Sequence, residues 1–386
     1  MIASAWNNLE LWVLPVLVGL GCTLYTWGLF KAFREKKQIL KIVPTPLNER
    51  LWVCIPARNE AQRLPATVDS LLTETCPHLS VVVVDDNSED ETSQWVLKKA
   101  QKDPRLGLFR NAAESAGKPG AMAAWVASLK SSHADMPSEI LFLDADMQVQ
   151  PGFLGGLLKV MRDHDADALS GVPKLICKSF WEALLVPAIA ALAAALYPPS
   201  GLDRKGFLNG QVILIRTAAL QKAGGWSSVA NEVLEDVALA QRLVDTGSQI
   251  RLVDFQQVCA TRMYNNFSEI MNGFAKNFSA LNQGAAKGLW MALFGLVIST
   301  APWVFSIASL MGPQDALPAL LALVWVCLMQ TMTRQQMGLP VWPVIFVPIT
   351  AVGVLLIAVK SAYHVLAHKP LRWRGREVVL SDRSTS

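Results

Sequence analysis

Apolar residues gather at the two ends of this chain and, between them, in short runs that alternate with polar segments. Residues 9–30, LELWVLPVLVGLGCTLYTWGLF, are long enough to cross the roughly 30 Å hydrocarbon layer of a bilayer as a helix, with Glu10 at the outer margin. Three more apolar stretches, 289–311, 316–332 and 341–359, fill the C-terminal third, broken only by the polar GPQD and TRQQMGLP. Residues 180–197, FWEALLVPAIAALAAALY, are also apolar. They are short and carry Pro187, so they predict an interfacial or buried helix instead of a span.

The middle of the chain has a different pattern. LWVCIP (51–56) predicts a strand, followed by a helix-like stretch to about Thr75. SVVVV (80–84) is continuous and β-branched, as expected of a parallel strand buried on both faces. It stops at DDNSEDET, whose Asp, Asn and Ser favour a turn and whose acids suit the start of the next helix. A weaker strand near 106–110, a helix over 118–130 and the strand EILFL (139–143) follow. This order predicts an α/β fold, a doubly wound and mostly parallel sheet that binds its ligand at the C-terminal strand ends. The chain divides into a membrane anchor and basic linker (1–48), an α/β domain (49–285), and membrane segments with a basic tail (286–386).

Charge sets the orientation. Lys31, Arg34, Lys36, Lys37 and Lys41 directly follow the first apolar stretch, so the positive-inside rule puts the next domain in the cytoplasm. A cleaved signal peptide would carry its basic residues on the other side. Three full C-terminal crossings would put Lys369, Arg372, Arg374 and Arg376 outside, against the same rule, so two or three of those stretches cross. A net charge of +4 without a basic tract argues against a nucleic-acid partner. The six cysteines (22, 54, 76, 177, 259 and 327) form no CxxC pair, which fits a reducing compartment. None of the five histidines lies in a motif.

The most telling polar segment is LFLDADMQV (141–149), an apolar strand ending in Asp144-Ala145-Asp146. Two neighbouring carboxylates repel, and one resists ionising unless a cation is present. A hard ion such as Mg²⁺ or Mn²⁺ takes a few carboxylate oxygens plus substrate phosphates and can neutralise a diphosphate leaving group. A solvated Asx turn reads the same three residues without a metal.

PARNE (56–60), VVVVDDNSEDET (81–92), DAD (144–146) and LED (234–236) occur in this order. Together they resemble family 2 glycosyltransferases with the GT-A fold, over about residues 50–280. That resemblance implies an inverting, metal-dependent sugar transfer from a UDP- or GDP-sugar. By it, Pro56, Arg58, Glu60 and Asp86 line the nucleoside pocket. Asp144 and Asp146 flank the ribose and hold metal, Asp146 the better ligand, and Gln148 falls near the diphosphate. Lys118 lies where relatives keep a lysine near the nucleotide, though an exposed helix-capping lysine is the other reading.

Glu235 and Asp236 open a stretch with helical periodicity, where acids complement the helix dipole. The resemblance makes Asp236 the base that takes the acceptor's proton, with Glu235 positioning it. Asn209, Gly210 and Gln211 contact donor or acceptor, or form a structural turn. Arg262 neutralises the departing diphosphate or makes a structural salt bridge.

Arg262-Met263-Tyr264 stands where processive synthases carry QxxRW, so a polymer product is not expected. This segment, with Gly273, Phe274 and Lys276 and the terminal RWRGR (372–376), resembles carotenoid and hopanoid-associated glycosyltransferases. A lipid acceptor at the inner membrane follows from that resemblance. Polyprenyl phosphate, diacylglycerol or ceramide are alternative acceptors, and a non-catalytic nucleotide-sugar-binding protein is the alternative of another class. Phe267, Ile270, Met271, Phe274 and Phe278 share one helical face, suited to the membrane interface or to plain packing.

Overall fold

A computed structural model describes residues 39–112, 117–131, 136–196, 207–311 and 317–380, and of the N-terminal stretch Thr23 alone. The helix predicted over 9–30 therefore lies outside the described residues. The described residues fall into two compact units, one of residues 39–176 and 207–263, the other of residues 177–196 and 264–380.

The first unit is built on an eight-stranded sheet. Its strands are β1 (Leu40–Lys41), β2 (Leu51–Ala57), β3 (Leu79–Asp85), β4 (Leu106–Arg110), β5 (Glu139–Leu143), β7 (Ala168–Val172), β9 (Val212–Arg216) and β10 (Ile250–Asp254). The order across the sheet is β1-β10-β7-β9-β5-β2-β3-β4. All neighbours are parallel except at β9, which runs antiparallel to both β5 and β7. Alternate residues of a strand point to opposite faces. Accordingly, Val53, Ile55, Val81 and Val83 pack on one side with Leu64, Val68, Leu154 and Leu157. Cys54, Val84, Ile140 and Phe142 pack on the other with Met122, Trp125, Leu239 and Leu243. The helices that supply these faces are α1 (Leu64–Leu72), α2 (Thr92–Ala100), α3 (Gly117–Ser131), α4 (Phe153–Asp163), α6 (Thr217–Lys222) and α7 (Glu235–Asp245).

The topology fixes where the polar loops meet. β5, β2 and β3 are parallel neighbours, so the loops carrying Asp144, Arg58 and Asp86 leave the sheet at one edge. Because β9 is antiparallel to β5, its first residue Val212 pairs with the last residue of β5, Leu143. The segment 209–211 therefore arrives at the same edge. A small sheet adds a second route: β6 (Met147–Val149) pairs antiparallel with β11 (Cys259–Thr261), which lies parallel to β8 (Lys174–Leu175). Thr261 stands opposite Met147, so β11 runs past Asp146.

The chain before β2 is strapped to this unit. β1 joins the sheet edge beside β10, and Thr45 donates its N–H to the Gly152 carbonyl at 2.9 Å. The strap rests on glycines: a Cβ on Gly155 would sit 2.2 Å from the Thr45 carbonyl oxygen, and one on Gly156 2.7 Å from that of Val43.

The second unit holds α5 (Phe180–Leu196), α8 (Phe267–Leu281), α9 (Ala285–Met311), α10 (Leu317–Gln336), α11 (Val347–Leu366) and a hairpin of β12 (Leu371–Trp373) and β13 (Arg376–Val378). Two segments, Ala285–Ala308 and Trp342–Leu366, are long and apolar enough to cross a membrane. The stretch predicted at 316–332 becomes α10, which runs on through the polar TRQQ and carries Arg334 buried at 5% exposure. Its guanidinium donates to the Ala183 carbonyl at 3.0 Å. α8 opens with an Asn266 cap, which accepts from the Glu269 N–H. Ile270, Phe274 and Phe278 of the predicted apolar face are buried within the unit, and Ser279 is hydrogen-bonded to Ser361 of α11 at 2.7 Å. For those three residues the face is a packing face. RWRGR is a hairpin whose two-residue turn, Arg374-Gly375, has φ of 48° and 77°, as the twist of tight hairpins requires. Its Trp373 ring lies 6.1 Å from Tyr264, which in turn packs on Phe274 at 5.0 Å.

Candidate active site

Lys118 is the centre of the polar edge. It stands in the first turn of α3, and its ammonium lies 2.6 Å from Asp144 Oδ1 and 3.8 Å from Glu235 Oε1. It also donates to the Gly210 carbonyl at 2.9 Å. Burial works against its charge, but Asp144 and Glu235 more than offset that and hold the ammonium above the ordinary lysine range. The helix-capping reading of Lys118 is thus replaced by a bridging one.

Gly210 carries the link onward. Its N–H donates to Asp236 Oδ2 at 2.7 Å, while Oδ1 accepts from the Val237 N–H at 2.9 Å. A Cβ on Gly210 would come within 3.0 Å of that Oδ2, so any side chain here would displace the carboxylate. Burial, then the neighbouring Glu235 charge, push the Asp236 carboxyl up to about 6. The Gly210 N–H and Lys118 pull the other way. Such a group is ionised at neutral pH yet basic enough to take a proton.

Asp144 and Asp146 differ in their surroundings. Asp144 is neutralised by Lys118. Asp146 has no ion pair within 4 Å among the described residues, and burial followed by the Asp144 charge pushes its carboxyl up to about 7. Thr261, 1% exposed, donates to Asp146 Oδ1 at 3.3 Å. Gln211 contacts the same hydroxyl at 3.5 Å and accepts from Asn209 at 3.2 Å. Among the described residues no group of three or more His, Cys, Asp or Glu is arranged to hold a metal. Two carboxylates, one of them resisting ionisation, fit an ion that completes its shell with water and phosphate, as Mg²⁺ and Mn²⁺ do. Gln148, exposed on β6, lies two residues on.

The residues expected around the nucleoside are also assembled at this edge, though several serve the scaffold. Arg58 donates to the Asp86 carbonyl at 2.8 Å and lies 3.6 Å from Glu89. Glu60 is 8% exposed, faces Arg63 at 3.4 Å, and its N–H donates to Thr92. Asp86 is 4% exposed and accepts from Asn111 at 3.1 Å. Pro56 is half-buried in β2. Asp85, the first acid of the pair, is bound by Ser88 and Ser93 and shapes the turn. Arg262 follows β11 directly and is half-buried. Sequence reasoning missed Thr261 and the Arg63 charge that acts on Asp146. Thr261 is a single hydroxyl 115 residues from its partner, with no motif around it.

Residues 52–220 match the family described as Glycosyl transferase family 2. An undecaprenyl-phosphate mannosyltransferase of Micrococcus luteus is 31% identical over 116 residues, which cover 30% of this chain and 46% of that protein. The chain thus spans less than half the length of this curated relative. Among solved structures, a mannosyltransferase of Pyrobaculum calidifontis in complex with GDP-Man and Mn²⁺ is similar with a TM-score of 0.57 at 18% identity, covering 91% of this chain and 98% of that one. Residues 52–220 carry a family 2 glycosyltransferase domain, on a mixed α/β fold with GT-A-like neighbours.

Proposed function

We propose that this chain is a membrane-bound, inverting glycosyltransferase that moves one sugar from a nucleotide-diphosphate sugar to a hydrophobic isoprenoid lipid. One observation carries the reading: Lys118 joins the Asp144 carboxylate to Glu235, and through Gly210 to Asp236. The two acidic motifs, about ninety residues apart in sequence, therefore serve one reaction centre. Pro56, Arg58, Glu60 and Asp86 border the nucleoside, and Gln148 the diphosphate. Asp144 and Asp146 hold Mg²⁺ or Mn²⁺, which when bound supplies positive charge to the diphosphate leaving group. Lys118 and Arg262 add donors to the same oxygens. Asp236, fixed by two backbone N–H groups, accepts the proton of the acceptor hydroxyl at Oδ1 or Oδ2 as that oxygen attacks the anomeric carbon.

The apolar helices and the basic residues 31–41 favour a multi-pass protein of the inner membrane with this unit in the cytoplasm. The name of the Micrococcus relative favours a second acceptor, a polyprenyl phosphate. A phosphate is already ionised and needs no base. Transfer assays with Asp236→Asn separate the two. With a hydroxyl acceptor the rate should fall by roughly 10²–10⁴-fold, and the wild-type rate should climb as pH rises through about 6. Turnover largely retained in Asp236→Asn, with a flat pH profile, would favour the phosphate acceptor. Mn²⁺-dependent donor consumption that persists in Asp146→Ala would overturn the metal site.

A further inference from the structure

The second unit contains a charge imbalance that the transfer reaction does not use. Its described residues include nine Lys and Arg but three acids, Glu182, Glu269 and Glu377. Two of the acids are occupied at helix starts: Glu182 accepts from the Lys178 N–H at 2.9 Å, and Glu269 accepts from the Asn265 N–H and the Asn266 amide. The third lies on the terminal hairpin.

Two lysines lie on one seam within this unit. Lys360 is half-buried in the apolar α11, six residues before its end, or about 9 Å inside it. Its ammonium donates to Asn272 Oδ1 of α8. Asn272, Lys276 and Ser279 follow at i, i+4 and i+7, so they share a helix face. Ser279 touches Ser361 of α11, and Asn272 touches Lys360, so Lys276 stands on the same seam between them. Among the described residues, no carboxylate lies within 4 Å of either ammonium; Lys360 has an amide oxygen where an ion pair would need a charge. A cation inside a membrane segment is costly without a counter-charge. The neighbours of Lys360 on α11 say where that charge enters. Leu356, Val359 and Tyr363 are 47–51% exposed, so the seam borders an apolar stripe open to acyl chains.

We propose that Lys276, Lys360 and Asn272 form a binding site for the phosphate group of a membrane lipid. The inference rests on the membrane reading of α9 and α11 but not on the transfer chemistry. Two ammonium groups and the Asn272 amide N–H would donate to the phosphate oxygens, and the exposed stripe would take the acyl or prenyl tail. A free phosphate gains nothing from that stripe, and a neutral lipid gains nothing from the lysines.

Native mass spectrometry of the full chain, purified in a neutral detergent and offered phosphatidylglycerol, tests the site. Wild type should retain the lipid, while Lys276→Gln and Lys360→Gln should each weaken retention roughly five-fold, the effect of about one basic residue at an anionic surface. Lys360→Arg should keep most of it. Diacylglycerol, which lacks the phosphate, should not be held. Equal retention by wild type and the Lys276→Gln/Lys360→Gln double variant would overturn the proposal. So would displacement of the lipid by millimolar inorganic phosphate, which would mark a free-anion site. If Lys360→Gln fails to fold, Lys276→Gln decides alone. Release of the wild-type chain from membranes by alkaline carbonate would instead sink the membrane reading.

Discussion

Asp146 shows how a side chain's surroundings determine its role. Its folded pKa, about 7, lies above the ordinary carboxylate value of about 4. Between those values the folded chain holds a proton that the unfolded chain has released, so rising pH destabilises the fold, and the full cost is present above about 7. A divalent cation removes that cost by supplying the missing charge. Mn²⁺ should therefore raise the melting temperature at pH 8, and Asp146→Asn should abolish the rise while leaving the metal-free protein as stable as wild type or more so. Calorimetry with and without Mn²⁺ measures both; an unchanged metal response in the variant would rule Asp146 out as a ligand. Lys118 provides a contrast, because its burial is compensated by Asp144 and Glu235 and its charge stays fixed.

At the scale of elements, the strap over α4 fixes residues 43–46 against the first unit. Gly152, at φ 84°, Gly155 and Gly156 let residues 43–46 approach at backbone contact. The contact at Gly155 is with a carbonyl oxygen, which cannot swing aside as a flexible side chain would. Gly155→Ala should cost about 1–3 kcal/mol through overpacking and lower the melting temperature of the unit by roughly 2–12 °C. A melting temperature within a degree of wild type would mean the strap is dispensable. Gly273 is comparable in the second unit, where a Cβ would meet the Tyr264 ring at 2.4 Å. There, Tyr264 and the glycine-aromatic pair, separate in sequence, pack together with Trp373 of the hairpin.

For the whole molecule, two helices are long and apolar enough to span a bilayer, and the proposed membrane reading makes a direct prediction. The chain should stay in the membrane fraction through a carbonate wash and leave it only with detergent; recovery in the wash supernatant would exclude a spanning arrangement. Activity, by contrast, should vary with the edge of the sheet where β5, β2, β3 and the antiparallel β9 bring their loops together.

Much of this architecture is local and so was legible in the residues. SVVVV and EILFL are strands because buried parallel strands need continuous apolar runs. Residues 285–308 and 342–366 are long apolar helices because their composition leaves few alternatives. PARNE, DAD and LED were recognisable because each carries its chemistry within a few residues. The reversed direction of β9 was not legible, since a five-residue apolar strand looks the same in either orientation. Nor was the meeting of Lys118 with Gly210, 92 residues away, or of Asp146 with Thr261, 115 away. Periodicity reports only on neighbours along the chain. Which distant loops share an edge is decided by strand order, and only the folded sheet contains that order.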